Sequence, residues 1–181
     1  MKLWLVRHAQ PLIAPGVCYG ATNVAADGQL TLEAAQALAG ILPCGISIVS
    51  SPLQRCEQLA QCLQGLRPDL SFKTDAGLKE MDFGCWEGQR WDSIAQAAID
   101  RWTADFGDHR FGGRESVVEF MQRVAGVWDE TRRTGVDGVW ITHAGVIRAA
   151  ALLAQGLRKI VQAGQWPHEA PAFGGWWELQ A

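Results

Sequence analysis

Two histidines in this chain stand at the ends of short apolar runs, where side chains are placed to do chemistry. His8 follows "KLWLV" at 2–6 with only Arg7 between, and His143 follows "GVWIT" at 138–142. A third run, "ISIVS" at 46–50, leads through "SPLQR" to Arg55. A neutral imidazole with one nitrogen fixed by a carbonyl presents a nucleophilic lone pair at the other. Guanidinium groups offer planar, multidentate donors that match the oxygens of a phosphate. Two histidines and two arginines meeting at one point would suit phosphoryl transfer, where positioning and charge neutralisation carry most of the catalysis. Taken singly, each residue has a plainer explanation. A strand-end histidine is usually a satisfied polar group, and an arginine on a first helical turn usually faces solvent. The chain has only four histidines, and two of them fall at strand ends, which favours convergence over coincidence.

The elements that must position these groups follow from the pattern. The three apolar runs are β-branched or aromatic and end abruptly, as buried strands do. Weaker strand signals lie at 71–75 and 173–179. Thr31 is expected to cap a helix over 32–42, with Leu32, Ala35, Leu38, Ala39 and Leu42 on one face. Ser51–Pro52 reads as a capped start, with proline first in a helix that turns Leu53, Cys56, Leu59, Ala60 and Leu63 inward. Further helices are expected at about 91–103, from Glu115–Ser116 to about 134, and from His143 to Leu157. The glycine-rich stretch 104–114 reads as a loop. Strand and helix alternate, so the expectation is one domain over 1–181. Its fold class is α/β, a three-layer α/β/α sandwich with a mostly parallel central sheet. In such sheets ligands bind beyond the carboxyl ends of the strands, where His8 and His143 fall.

Composition narrows the chemistry. Hydrophobic residues make up 48% and charged residues 19%, a globular balance, and the net charge is −3. No basic field draws the chain to nucleic acid, so an anion pocket must be built locally from a few cations. The five cysteines have no zinc-like spacing, which points to free thiols and to no metal site. "MKLWLVRHAQ" is too short in its apolar part for a signal segment, and no run approaches a membrane span. A cytoplasmic protein is expected. The oligomeric state is not legible.

"LWLVRHAQ" resembles the R-H-G signature of the histidine phosphatase superfamily, in its phosphoglycerate mutase-like branch. "SSPLQRC" (50–56), "LKEMDFGCWEG" (78–88), "GGRESVVEF" (112–120) and "WITHAGVIRA" (140–149) are similar to the family's other blocks and stand in the same order. The resemblance implies a phosphoglycerate mutase-like fold and a phosphohistidine intermediate on His8. It implies a phosphate pocket of Arg7, His8, Arg55 and His143, with His143 a further donor if protonated. Glu80 of "LKE" becomes the proton donor, held partly protonated by burial or by the bound dianion. Glu87 of "WEG" is expected to support the loop. No cofactor is implied.

The chain departs from the family pattern after the histidine. Ala9, Gln10, Pro11 and Ala14 stand where many members have G-E-T and, farther on, an asparagine that donates to phosphate. Gln10 or a backbone amide is a candidate stand-in, and Thr142 could lend a hydroxyl or cap the next helix. At 181 residues the chain has no room for the inserts of the mutases, which favours hydrolysis of a small phosphate monoester. "RHAQP…GVCYG", "EMDFGCWEG" and "FGGWWEL" resemble α-ribazole phosphatases of cobalamin assembly. A benzimidazole is flat and apolar, and Tyr19, Trp86 and Trp102 could supply stacking faces. The competing reading makes Trp86 and Trp102 core or loop anchors. His109 and Arg110 could steer an anion or be solvated loop. The other activities considered are a broad-specificity or phosphoglycerate phosphatase using the same residues, and a non-catalytic phospho-ligand module.

Overall fold

The structure is a computed structural model that describes residues 1–180. Strand β1 (Lys2–Arg7) lies inside a five-stranded sheet with β2 (Ser47–Ser50), β3 (Phe72–Thr74), β4 (Gly138–Thr142) and β5 (Trp176–Gln180). The order is β3-β2-β4-β1-β5, and only β5 runs antiparallel, against β1. β1 and β4 pair in parallel with Arg7 opposite Thr142, so His8 and His143 leave the sheet at the same level. Likewise Ser50 pairs with Ile141, which brings the chain after β2 to the same edge.

Strand alternation divides the core between two faces. Trp4, Val6, Ile48, Val139 and Ile141 point to one side, where they pack on α1 (Gly28–Ala39) and α2 (Gln54–Leu66). Leu3, Leu5 and Trp140 point to the other, against α4 (Val117–Thr134) and α5 (Ala144–Ala154). Helices on both faces make the expected three layers. A short α3 (Gln96–Ala104) joins Ile94, Ala98 and Phe111 in a small third cluster.

Several helix starts differ from the expectation. Asp27 caps α1 by accepting from the Leu30 amide, while Thr31 sits inside the helix and donates to the Asp27 carbonyl. α2 begins at Gln54, after Leu53 in extended backbone, rather than at Pro52. The Ser51 hydroxyl does accept from the Leu53 amide, but it also bonds His143, which holds 51–53 at the site instead of in a helical turn. The helix expected from 91 opens with a separate 3₁₀ turn at Trp91–Ser93. α4 starts as foreseen, with a full capping box of Ser116 and Glu119 and a left-handed Gly135 at its end; such a cap contributes about 1 kcal/mol. The loop 104–114 is less polar than it reads, because Phe106 and Phe111 are buried and anchor it.

Candidate active site

His8 is buried at the carboxyl end of β1, and its Nδ1 lies 2.7 Å from the Ala9 carbonyl. A carbonyl only accepts, so Nδ1 carries the proton and Nε2 keeps its lone pair. Burial lowers the His8 pKa to about 3, with the charge of Arg55 adding to the effect. The imidazole is therefore neutral at ordinary pH, the state in which it is a nucleophile.

Arg55, on the first turn of α2, is fully buried. Its Nη1 and Nη2 donate to the Thr22 and Gly20 carbonyls at 2.8 and 2.7 Å, and its Nε donates to His8 Nε2 at 3.3 Å. Among the described residues no carboxylate pairs with it. Its charge is thus available to an anion. Arg7 is held differently. Nη1 donates to the Pro171 carbonyl, the guanidinium lies 3.8 Å from the Phe173 ring centroid, and buried Nε has no protein partner. Burial lowers the pKa of both arginines, but guanidinium remains protonated over any working pH.

His143 stands at the N-terminus of α5 with its ring centroid 5.1 Å from that of His8. Its Nε2 is 2.8 Å from the Ser51 hydroxyl and 3.5 Å from Cys56 Sγ. Burial, then Arg55 and His8, lower its pKa well below the usual value. The ring is neutral before an anion arrives, rather than the protonated donor considered from the sequence. Ala144 and Gly145, which follow it, line the cavity over His8, so the α5 N-terminus faces the place where phosphate charge would sit, while buried His143 is itself not among the lining residues.

Glu80 completes the ring. Its carboxylate accepts from the Gly145 amide at 2.9 Å and the Met81 amide at 3.1 Å. A β-carbon on Gly145 would come within 2.2 Å of Glu80 Oε1, so only glycine lets the carboxylate lie against the helix. Glu87 takes no part in the cavity. It accepts from the amides of Gly20, Ala21, Thr22 and Phe83 and from the Thr22 hydroxyl. Burial works to raise its pKa, but the Thr22 hydroxyl and the amides outweigh this and hold it below the usual carboxyl range. Through residues 20–22 it fixes the carbonyls that grip Arg55.

A cavity of about 320 Å³ opens over these groups, lined by Arg7, His8, Tyr19, Arg55 and Glu80. Of the other candidates, Gln10 is exposed and lies outside the lining. Its carbonyl accepts from Asp27 instead. The Thr142 hydroxyl donates to the Leu78 carbonyl, so it neither enters the cavity nor caps α5. Trp86 also lies outside, its ring 5.7 Å from that of Phe111 on the anchored loop. The flat wall comes from Trp91, Trp102 and Trp166 with Phe83 and Phe106. Trp102 stacks on Phe111 at 4.4 Å, so it is both anchor and wall. Arg110 pairs with Glu119 on the surface. Sequence reasoning missed Trp91, Trp166 and Arg148, which also line the cavity. The chain's richness in tryptophan was the available signal, but nothing in it ranks one ring over another.

A second cavity, about 300 Å³, lies at the amino ends of β2 and β4 around Ser47 and Gly138, and holds no histidine or arginine. Among the described residues no group of three or more metal-ligating side chains is clustered. No described helix is long and apolar enough to cross a membrane.

The comparisons agree with this architecture. The family model of the histidine phosphatase superfamily (branch 1) matches residues 3–168. A curated protein of Hydrogenobacter thermophilus named "Putative phosphoserine phosphatase 2" is 27% identical over 166 residues, covering 86% of this chain and 79% of that protein. Mycobacterial glucosyl-3-phosphoglycerate phosphatase superposes with a TM-score of 0.81 at 22% identity, covering 98% of this chain and 88% of that one, and shows the fold alone. A Thermus thermophilus protein gives a TM-score of 0.72 at 28% identity, covering 99% and 94%. With the family model spanning β1 to β4 and the positions of Arg7, His8, Arg55, Glu80 and His143, the chain belongs to branch 1 of the histidine phosphatase superfamily.

Proposed function

We propose that the chain hydrolyses phosphate monoesters through a phosphohistidine on His8. The observation that carries this reading is the state of His8: buried, neutral, its Nδ1 pinned by Ala9, and its Nε2 within reach of Arg55 at the floor of the cavity. Arg7, Arg55, His143 and the α5 N-terminus receive the phosphate oxygens, Arg55 giving up its bond to Nε2 as they enter. The Nε2 lone pair attacks phosphorus. The phosphorus–oxygen ester bond breaks, and its electron pair leaves on the alcohol oxygen, which takes a proton from Glu80. A water then attacks the phosphohistidine and gives a proton to the Glu80 carboxylate. The phosphorus–nitrogen bond breaks, and its pair returns to Nε2. The sum is ester plus water to alcohol plus phosphate, with Glu80 protonated again.

For the alcohol we propose α-ribazole, whose 5′-phosphate joins a charged head to a flat apolar base. Support comes from the division of the cavity, cationic at Arg7 and Arg55 and aromatic along Tyr19, Trp91, Trp102 and Trp166. A second reading, a small carboxylated phosphoester such as phosphoserine or a phosphoglycerate, rests on Arg148. It lines the same cavity, and its Nε and Nη2 are held by the Glu169 and His168 carbonyls. The curated relative's name, phosphoserine phosphatase, points the same way.

Phosphate release from α-ribazole 5′-phosphate is compared with release from phosphoserine, phosphoglycerates, sugar phosphates and nucleotides, in excess chelator. A kcat/KM for α-ribazole phosphate well above the rest supports the first reading. Preference for the carboxylated esters replaces it with the second.

A further inference from the structure

Glu80 rides on a loop with little regular structure, between β3 and the turn at Gly84, yet a proton donor must be held to a fraction of an ångström. What holds the loop is an ion pair reaching across from α4. Arg123, a half-buried residue on that helix, donates through Nη1 to the carbonyls of Gly77 and Lys79 at 3.0 and 2.7 Å. Through Nη2 it donates to the carbonyl of Glu80 itself at 3.0 Å. Its Nε and Nη2 also meet Glu115 at 2.6 and 3.0 Å, and the second oxygen of Glu115 accepts from the Asp82 amide. One guanidinium and one carboxylate therefore clamp the backbone of 77–82 on both sides of Glu80. Beneath it, a β-carbon on Gly77 would meet Val127 of α4 at 2.4 Å, so loop and helix are in direct contact there.

Neither member of the pair is needed for the fold in the way a core residue is. The side chains of Arg123 and Glu115 keep 25% and 15% of their exposure, and both border an outer groove on the far side of Glu80. Arg123 is not among the residues lining the substrate cavity. Four polar contacts from the pair converge on one six-residue stretch, and the side chain that stretch delivers to the cavity is Glu80.

We infer that Arg123 and Glu115 are positioning residues for the proton donor, setting the height of Glu80 against the leaving-group oxygen. This rests on the reading of Glu80 as the acid, and it predicts a signature that loss of stability alone does not produce. A phenolate departs without help, whereas an alkoxide needs the proton as it leaves. Displacing the acid should slow transfer from an alkyl phosphate far more than from an aryl phosphate.

The test measures kcat/KM, which reports transfer to His8, for p-nitrophenyl phosphate and for an alkyl phosphate such as glycerol phosphate. The variants are Arg123→Met, Arg123→Lys, Glu115→Gln and Glu80→Gln, with vanadate binding as a check that the phosphate pocket persists. For Arg123→Met and Glu115→Gln, kcat/KM on the alkyl ester should fall by about 100-fold, as for an acid misplaced by an ångström, and by less than about 5-fold on the aryl ester. Arg123→Lys should recover part of the loss, since an ammonium reaches some of the same carbonyls. Vanadate binding should stay within about 3-fold of wild type. If Arg123→Met does not fold, Glu115→Gln and Arg123→Lys decide the matter with the same comparison. Equal losses on both esters, or none, would overturn the clamp. If Glu80→Gln itself shows no dependence on the leaving group, the assignment of the acid fails instead, and the two failures are told apart.

Discussion

The Arg55 Nε lies 3.3 Å from Nε2 of His8, so the cation proposed to gather phosphate also covers the lone pair of the proposed nucleophile. An entering phosphate oxygen must take that N–H, which uncovers the lone pair as the ester arrives. The other two nitrogens of Arg55 stay on the Gly20 and Thr22 carbonyls, so the side chain need not move to make the exchange. Arg55→Ala should raise KM and lower kcat together, with kcat/KM down by about 10²–10³-fold, because both ground and transition states carry phosphate charge. Arg55→Lys should recover little, since an ammonium cannot serve two carbonyls and a phosphate oxygen in the same plane. Steady-state kinetics on any accepted ester checks both. A loss confined to KM would mean that Arg55 only binds.

The loop that grips Arg55 depends on Glu87. In Glu87→Gln an amide group would point at amides that now donate to a carboxylate, leaving at least one buried donor unmatched. A stability loss of about 1–3 kcal/mol is expected, read as a lowered melting temperature. KM should rise as the Gly20 and Thr22 carbonyls loosen around Arg55. Unchanged KM in a folded variant would separate the loop from phosphate binding.

Much of this site was legible from the strands. His8 and His143 follow runs whose apolar, β-branched character fixes them in a parallel pair, and parallel register places both at one edge. Arg55 was legible as following β2, but not the route to it. Ser51 and Pro52 carry a helix-start pattern, and the hydroxyl's bond to His143, 92 residues away, is a tertiary contact that no local pattern records. Thr31 lost the cap of α1 to Asp27 for a similar reason, since both types cap well and only the path of the chain selects between them. The aromatic wall was least legible. Trp86 is close in sequence to Glu80, yet its ring turns to Phe111, while Trp166 reaches the cavity from the segment before β5.

Two buried neutral histidines make stability depend on pH. The folded-state pKa of His8 is lowered from 6.5 to about 3, and that of His143 is also lowered, so between these values the unfolded chain binds protons that the folded chain refuses. Stability is therefore fully present above about pH 6.5 and falls as the pH drops, by about 1.4 kcal/mol per pH unit for His8 alone. Carboxylates contribute to the same limb, so the comparison is with His8→Gln. Its unfolding free energy, from urea melts between about pH 6 and pH 4, should fall less steeply than that of wild type. Equal slopes would mean that His8 titrates normally in the folded chain.

Removing the nucleophile tests the rest of the pocket. His8→Ala should lower kcat by at least about 10³-fold while inorganic phosphate and vanadate still bind, because Arg7, Arg55 and the α5 N-terminus remain. Isothermal titration and activity measurements together check this. Binding lost in step with turnover would make His8 part of the phosphate cradle rather than the group that attacks.

The most direct measurement is to catch the intermediate. Wild-type protein is mixed with a ³²P-labelled ester, quenched in alkali within milliseconds and examined for bound label. A phosphoryl group on His8 Nε2 is stable to alkali and labile to acid, and peptide mapping should place it at His8. It should form with wild type, persist longer in Glu80→Gln, and be absent in His8→Ala. Rapid turnover with no alkali-stable label, or label on another residue, would contradict the account.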